Sequence, residues 1–304
     1  MYRRQSLSAA VSALVEHQAG VISTRQLIDG GLTRAVIHRM AADWGRPCDG
    51  IHLTISPTWL SAAWAGLLRG GTAAVLAEEA AAFLHGAVRD EPTTIAVWAP
   101  IKRSGFTVGL WRVVFRRGHR RALGTPPRTS LPVTLVDLAG RVGEDAAVAA
   151  TARALAQRRT TPDRVLHELT TRRRTRHSAV LKQLCSQAGR GIESALEWRF
   201  SQVLTRHGLP VPERQVVAEG TRIDALFRQQ RLVIELDGAR DHADWSKDMM
   251  RDNKRLIEAD NITLRYGWNA VVGDACTVAA QVAASLASRG WTGEIRACPR
   301  CPQR

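Results

Sequence analysis

The chain has 304 residues, 45% of them hydrophobic, and its Lys and Arg residues exceed its Asp and Glu residues by 15. This length allows two or three domains, and the lack of any run of about 18 apolar residues excludes a membrane span. The N-terminus lacks the apolar core and cleavage site of a signal peptide, and five scattered cysteines do not suit a disulfide scaffold. The sequence therefore predicts a cytoplasmic protein without a membrane partner.

The positive charge is concentrated in the N-terminal half. Residues 1–187 hold 26 Lys and Arg against 13 Asp and Glu, a net +13, whereas residues 188–304 hold 17 against 15, a net +2. Such a basic half is typical of proteins that bind a polyanion, most often nucleic acid. We therefore expect double-stranded DNA as a partner and a location at the nucleoid. A GC-rich genome that encodes Arg freely is the alternative explanation.

Residues 1–60 show three short helical segments followed by a strand. Ser23 and Thr33 are suited to cap the second and third helices, because their hydroxyls can accept backbone N–H groups. This order is that of a winged helix-turn-helix domain, and the alternative is an ordinary helical subdomain with surface arginines. The predicted segments are the helices 7–18, Thr24–Ile28 and Arg34–Ala42 and the strand Ile51–Ile55.

The third of these helices carries Arg34, His38 and Arg39. In a winged helix-turn-helix domain this helix enters the major groove, where Arg can contact both phosphates and base edges. We therefore predict that these three side chains bind DNA.

Residues 61–170 are predicted to form a mixed α/β middle region, followed by a basic linker over 171–187. The dense basic loop Arg116–Arg121 is typical of a solvated surface, although it can also touch phosphates. No residue pattern in this region indicates chemistry. The predicted segments are the helices Ser61–Leu68 and Ala73–Leu84, the strands Thr94–Trp98 and Phe106–Phe115, and a helix near Leu135–Leu138.

Residues 188–290 are predicted to form a domain with the order α-β-β-β-α-β-α, a mixed sheet flanked by helices. A polar tail over 291–304 follows. The predicted helices are Ile192–Arg206, Ala243–Ala259 and Ala275–Ala287, and the last strand is Ile262–Tyr266.

Three acids in this domain, Asp224, Glu235 and Asp237, lie within apolar strand patterns. Burying an unpaired carboxylate is costly, so acids in such runs need a reason. If Arg222–Phe227 and Arg231–Asp237 pair as a hairpin, Phe227 faces Leu232 on an apolar face of the sheet. Asp224 then faces Glu235 on the other, mostly polar face. Converging carboxylates can then hold a divalent metal ion. Gln229-Gln230 is not a favoured two-residue turn, so a longer loop is also open.

The acids and their order resemble the PD-(D/E)XK nuclease superfamily, and more closely domains related to very-short-patch-repair (Vsr-like) endonucleases. The residues that carry the resemblance are Glu197 on a helix, Asp224 on a strand, the run Glu235-Leu236-Asp237-Gly238, and His242. Residues 1–60, and more loosely those up to 150, resemble the winged-helix region of AbiEi-type (type IV) antitoxins. Actinobacterial proteins often join these two parts.

The nuclease resemblance implies a site for Mg²⁺ (or Mn²⁺) at Asp224 and Glu235, with Asp237 beside them and Glu197 completing it. It also implies His242 as a general acid/base or ligand. Asp237 occupies the position where the superfamily usually has lysine. Lys247, Arg251 and Lys254, which repeat along one helix face, could supply the missing charge at the site or on DNA; they could equally line a solvated helix.

The predicted function is a DNA-binding protein with a metal-dependent endonuclease-like domain that hydrolyses phosphodiester bonds in repair or in defence against phage and mobile elements. The alternative is a non-catalytic, antitoxin-like transcriptional regulator that keeps the nuclease fold as a scaffold, with a toxin or a second copy as partner. A structural metal protein built on Cys298 and Cys301 is a third hypothesis. A single CxxC pair is a weak signal and is more typical here of a disordered tail.

Overall fold

The computed structural model describes residues 6–172, 175–188, 195–218, 221–237, 260–267, 270–271 and 274–298 and the single residues Met250, Asn253, Ile257 and Cys301. The chain is mixed α/β and divides into an N-terminal unit, residues 1–182, and a C-terminal unit, residues 183–304. Within the described residues, no helix combines the length and apolarity needed to cross a bilayer.

The first 53 residues of the N-terminal unit contain the three predicted helices and a three-stranded antiparallel sheet in the order β1-β3-β2. The helix predictions are confirmed to within a few residues, whereas the predicted strand 51–55 ends earlier. The elements are α1 (Ala9–His17), β1 (Val21–Ser23), α2 (Thr24–Asp29), α3 (Arg34–Met40), β2 (Gly45–Cys48) and β3 (Ile51–Leu53).

Both predicted helix caps are confirmed. The Ser23 hydroxyl accepts the Gln26 N–H at 3.1 Å, and the Gln26 side chain accepts the Ser23 N–H at 2.9 Å. This reciprocal pair is a capping box, which satisfies two donors that a helix start leaves without partners. The Thr33 hydroxyl accepts the Val36 N–H at 3.4 Å and so marks the start of α3.

A second sheet, in the order β4-β5-β7-β6, forms the middle of the N-terminal unit; β5 and β7 are parallel and the other pairs antiparallel. Helices accompany this sheet, and the last of them begins at Ser178 in this unit and ends at Ala188 in the C-terminal unit. The elements are α4 (Trp59–Gly70), β4 (Val75–Ala77), α5 (Glu78–Leu84), β5 (Thr94–Ala99), β6 (Phe106–Val108), β7 (Trp111–Arg117), α6 (Leu131–Ala139), α7 (Glu144–Ala156), α8 (Pro162–Thr171) and α9 (Ser178–Ala188).

Two predictions in the middle region are wrong. The predicted helix Ala73–Leu84 is helical only from Glu78, because Val75–Ala77 pairs with β5 as a strand buried on both faces. Such a short apolar run has no period that separates strand from helix. The predicted strand Phe106–Phe115 is a hairpin that turns at Gly109, whose φ of +57° suits glycine.

One hydrophobic cluster joins the first sheet to the middle sheet. It contains Val21, Ile51 and Leu53 from the former together with α4 and residues such as Ile95 and Val97 of β5. The first 53 residues therefore share a core with the region that follows. The stretch predicted as a basic linker, 171–187, contains most of α9, in which Leu181 and Leu184 are buried.

The C-terminal unit contains a sheet in the order β11-β10-β9-β8, where β10 and β11 are parallel and the other pairs antiparallel. The predicted element order is confirmed for the described elements. The helix predicted over Ala243–Ala259 falls mostly outside the described residues. The elements are α10 (Ala195–Arg206), β8 (Glu213–Ala218), β9 (Thr221–Phe227), β10 (Leu232–Asp237), β11 (Ile262–Gly267) and α11 (Ala275–Ala287).

Candidate nucleic-acid interface and acidic cleft

The predicted DNA-contacting residues of α3 lie on one exposed face. Arg34, His38 and Arg39 are all exposed, whereas Ile37 is 4% exposed and packs in the core of the helical layer. Residues four apart lie on the same side of a helix, so Arg34 and His38 are neighbours on the outer face. The inner face anchors the helix and the outer face offers two guanidinium groups and an imidazole.

The hairpin of β2 and β3 adds a basic residue that the sequence prediction missed. Arg46 is exposed on β2, and the hairpin turns at Asp49-Gly50, where Gly50 has a φ of +75°. On α4, Arg69 donates from Nη1 to the Asp49 carbonyl at 3.2 Å and so holds this turn.

His52 fastens the hairpin to the helices. It is 4% exposed on β3, and its Nε2 lies 2.9 Å from the Thr24 hydroxyl at the start of α2. Burial, and then the nearby positive charge of Arg46, lower the pKa of His52 below its usual value. Burial therefore favours the uncharged form of the ring that bridges β3 and α2.

Part of the basic loop Arg116–Arg121 faces inward. Arg116 donates from Nε and Nη2 to the two carboxylate oxygens of Glu78, at 3.0 and 3.2 Å, and Glu78 is 6% exposed. Arg120 lies over the Trp98 ring at 4.2 Å and 3.8 Å from the Asp137 carboxylate. Arg117 and Arg121 are exposed. The interpretation of the loop as a solvated surface therefore holds for Arg117 and Arg121, whereas buried carboxylates hold Arg116 and Arg120.

The predicted hairpin register of the C-terminal unit is confirmed over its apolar part. Phe227 pairs with Leu232, Leu226 with Val233, and Ala225 with Ile234. The connection is a four-residue turn over 228–231, closed by the Arg231 N–H on the Arg228 carbonyl at 3.2 Å, so the longer loop is the correct alternative.

The strand ladders are interrupted at Asp224. The described β9–β10 ladder ends at Ala225–Ile234, and Asp224 meets β10 instead through its carboxylate, which accepts the Leu236 N–H at 2.8 Å. On the other side, the β8–β9 ladder skips Gln215, whose φ is +51°. The predicted direct pairing of Asp224 with Glu235 is therefore replaced by a side-chain to backbone bond. Strained backbone of this kind concentrates at functional sites.

Asp224 and Glu197 line one small cleft, together with Phe200, Pro212, Arg214, Ala225 and Leu236. Glu197 is 9% exposed in the first turn of α10. Burial lowers the pKa of Arg214, and the charge of Glu197 partly opposes that shift. Arg214 is thus a positive group in the acidic cleft that the sequence prediction missed, since β8 carried no motif.

The remaining predicted site residues are placed as follows. Glu235 is half-buried on β10 and has Arg265 of β11 beside it in the parallel register. Asp237 is the last residue of β10, and its side chain is outside the described part of the chain. The structure therefore brings together Glu197 and Asp224. His242, Lys247, Arg251 and Lys254 also lie outside the described residues.

Two carboxylates at one cleft suit the oxygen ligation that Mg²⁺ or Mn²⁺ prefers. Glu197 and Asp224 are the described side chains that could hold such an ion, and one Asp224 oxygen already accepts the Leu236 amide. The Arg214 guanidinium supplies positive charge to the same space. A metal there would compete with it for the acids.

The middle of the chain matches a known protein family. No curated protein matches the chain. The family model of the AbiEi antitoxin C-terminal domain matches residues 72–187, which run from just before β4 almost to the end of α9. The match supports the antitoxin-like part of the resemblance and places it further along the chain than residues 1–150. The middle sheet and the helices after it are thus similar to the AbiEi antitoxin C-terminal domain.

Proposed function

We propose that the protein is a DNA-binding regulator of the antitoxin type. Residues 9–53 act as a winged helix-turn-helix domain, in which α3 enters the major groove and the β2–β3 hairpin lies along the neighbouring phosphates. The region similar to the AbiEi antitoxin C-terminal domain follows directly. A toxin or a second copy of the chain, bound to that region, is part of the same proposal.

The observation that carries the proposal is the exposed face of α3. Its arginines have no ion-pair partner among the described residues, whereas Arg116 and Arg120 of the basic loop are held by buried acids. Long-range attraction of DNA depends on total charge, but contacts need side chains that can reach phosphates and bases. Arg34 and Arg39 meet this requirement, and Arg46 extends the basic surface to the hairpin.

The test compares the double variant Arg34→Ala/Arg39→Ala with Arg164→Ala/Lys182→Ala. The control pair is also exposed, helical and in the N-terminal unit, so both variants lose two positive charges. Binding to a mixed-sequence duplex is measured by fluorescence anisotropy over a series of salt concentrations. Point variants are needed because deleting residues 1–60 would strip Val21, Ile51 and Leu53 from the shared core.

If both arginines contact phosphates, the negative slope of log affinity against log salt becomes shallower by about 1.8 in the α3 variant, since each phosphate contact contributes about 0.9. The control variant leaves the slope close to that of the wild type. Equal slopes for the two variants would contradict the proposal.

We propose a metal-dependent nuclease activity at the acidic cleft as the second candidate function. It is supported by the convergence of Glu197 and Asp224 and by the interrupted ladders at Asp224. A bound Mg²⁺ would polarise the phosphate and lower the pKa of a water molecule. The residues of the chain would orient the phosphate, with Arg214 countering its charge.

This candidate is tested with plasmid DNA and either Mg²⁺ or Mn²⁺. The wild type nicks the plasmid, whereas Asp224→Asn, which keeps the shape of the side chain, removes the activity and leaves duplex affinity unchanged. Glu213→Gln, an exposed carboxylate on β8, is the control and retains activity. If neither metal supports cleavage by the wild type, the cleft is a scaffold and only the regulator remains.

A further inference from the structure

Four side chains of the C-terminal unit converge at a place remote in sequence from the acidic motif. The ligand atoms of His207, Cys276, Cys298 and Cys301 all lie within 4.8 Å of one another. Cys276 Sγ is 3.6 Å from Cys298 Sγ and 3.6 Å from Cys301 Sγ, and Cys298 Sγ is 3.8 Å from Cys301 Sγ. His207 Nε2 lies 3.7 Å from Cys301 Sγ.

Three separate parts of the fold supply these residues. His207 follows α10, Cys276 is in the first turn of α11, and Cys298 and Cys301 come from the C-terminal segment. That segment is docked on the unit, because the Arg296 N–H donates to the His207 carbonyl at 2.8 Å. The hypothesis of a disordered tail is therefore wrong for the described residues that carry these cysteines.

The surroundings of His207 fix which nitrogen is available. The residue is 1% exposed, and its Nδ1 lies 2.8 Å from the Val203 carbonyl. A carbonyl can only accept a hydrogen bond, so Nδ1 carries the proton and Nε2 presents its lone pair to the cysteines. An imidazole held through its other nitrogen by a carbonyl is the usual support of a metal-binding histidine.

The distances agree with a tetrahedral zinc ion and not with a disulfide. With Zn–S of about 2.3 Å and Zn–N of about 2.0–2.1 Å, a tetrahedron places sulfurs about 3.8 Å apart and sulfur and nitrogen about 3.6 Å apart. The three sulfur–sulfur separations and the Cys301–His207 separation, 3.6–3.8 Å, match these values, and the remaining pairs lie within 4.8 Å. A disulfide needs about 2.05 Å, and three thiols cannot all be paired by one disulfide.

We propose that His207, Cys276, Cys298 and Cys301 bind one structural Zn²⁺ ion. Four protein ligands leave no open position for water or substrate, so the site stabilises structure and does not catalyse. Binding converts three thiols to thiolates and releases their protons, and the ion and its ligands together carry a charge of −1. The ion would fasten the C-terminal segment to the ends of α10 and α11.

The experiment uses the full chain, purified without a metal-binding tag and under reducing conditions. Metal content is measured by inductively coupled plasma mass spectrometry, and Co²⁺ exchange gives the absorption of a tetrahedral thiolate site. We expect one zinc ion per chain. Chelator should lower the unfolding temperature and added Zn²⁺ should restore it, because an ion that binds only the folded state stabilises that state.

Cys301→Ser and His207→Gln are the test variants, and Cys48→Ser, a half-buried cysteine of the N-terminal unit, is the control. Removing a residue that only supports a metal ligand typically lowers metal affinity by about 10–100-fold. Because the test variants remove a ligand itself, we expect their zinc affinity to fall by more than that, and the zinc affinity of the control to stay unchanged. Iron in place of zinc, or a purified protein that neither contains nor takes up zinc, would overturn the proposal. So would full zinc retention by Cys301→Ser. The wild-type metal and chelator measurements decide the matter even if a variant does not fold.

Discussion

Replacing Glu78 by Gln should destabilise the N-terminal unit by about 2–3 kcal/mol. The Glu78 side chain is 8% exposed and accepts hydrogen bonds from Arg116 at 3.0 and 3.2 Å and from Arg141 at 3.0 Å. A buried hydrogen bond to a charged group contributes about 1.5–3 kcal/mol. The Arg116 side chain is 30% exposed and keeps much of that value, whereas Arg141, at 52%, contributes about 0–1 kcal/mol as a solvent-screened pair.

Glu79→Gln is the matched control, since it removes the same charge from the same first turn of α5 and so changes the helix-dipole interaction equally. Hydrogen exchange measured by mass spectrometry on peptides from α5 and β7 reports the stability of this region without requiring two-state unfolding of the whole chain. A loss of about 1.4 kcal/mol speeds exchange about tenfold. We therefore expect exchange to be about thirty- to hundredfold faster in Glu78→Gln than in Glu79→Gln. Equal exchange in the two variants would refute the assignment of Arg116 to a structural role.

Three further predictions follow from the N-terminal unit. Arg158 follows α7 with a φ of +54°, so Arg158→Gly should stabilise by about 1 kcal/mol and Arg158→Ala should not, as thermal unfolding will show. A Cβ on Gly66 would lie 2.9 Å from Val113 Cγ1. Gly66→Ala should therefore lower the free energy of unfolding, measured with denaturant, by about 1–3 kcal/mol, although Ala has the better helix propensity. Unchanged stability would contradict this close packing. The pKa of His52 is lower in the folded state, so the unfolded state binds more protons just below pH about 6.5, and stability should fall as pH falls through that range. His52→Gln should flatten this dependence of stability on pH, and an unchanged dependence would contradict the lowered pKa.

Local signals predicted those parts of the fold that local residues determine. Ser23 and Thr33 identified helix starts because capping needs only a hydroxyl three residues before a backbone N–H. The register of the β9–β10 hairpin followed from matching apolar residues, and it held from Phe227–Leu232 to Ala225–Ile234. It failed at Asp224, where a side chain replaces a ladder bond, which a period-two pattern cannot express.

Features that depend on distant residues left little trace in the sequence. Val75–Ala77 became a strand because β5 was available to pair with it, and the reversal at Glu78 requires a φ of +52° that no propensity favours. The cysteine and histidine site joins His207, Cys276 and the pair at 298 and 301, so the CxxC spacing showed only half of it. Arg214 likewise became a candidate site residue only when the structure placed it in the cleft that Glu197 lines.

The shared core of the N-terminal unit has a mechanical consequence. Val21, Ile51 and Leu53 pack in one cluster with α4 and β5, so the first sheet shares a core with the AbiEi-like region. Ile37 of α3 packs in a neighbouring cluster that includes Ile22 of β1. Interiors packed in this way resist deformation and transmit strain. If α3 binds DNA as proposed, a protein bound to residues 72–187 would be held close to that DNA through the shared core. On that proposal, the spacing of DNA sites would have to match the geometry of the assembled complex.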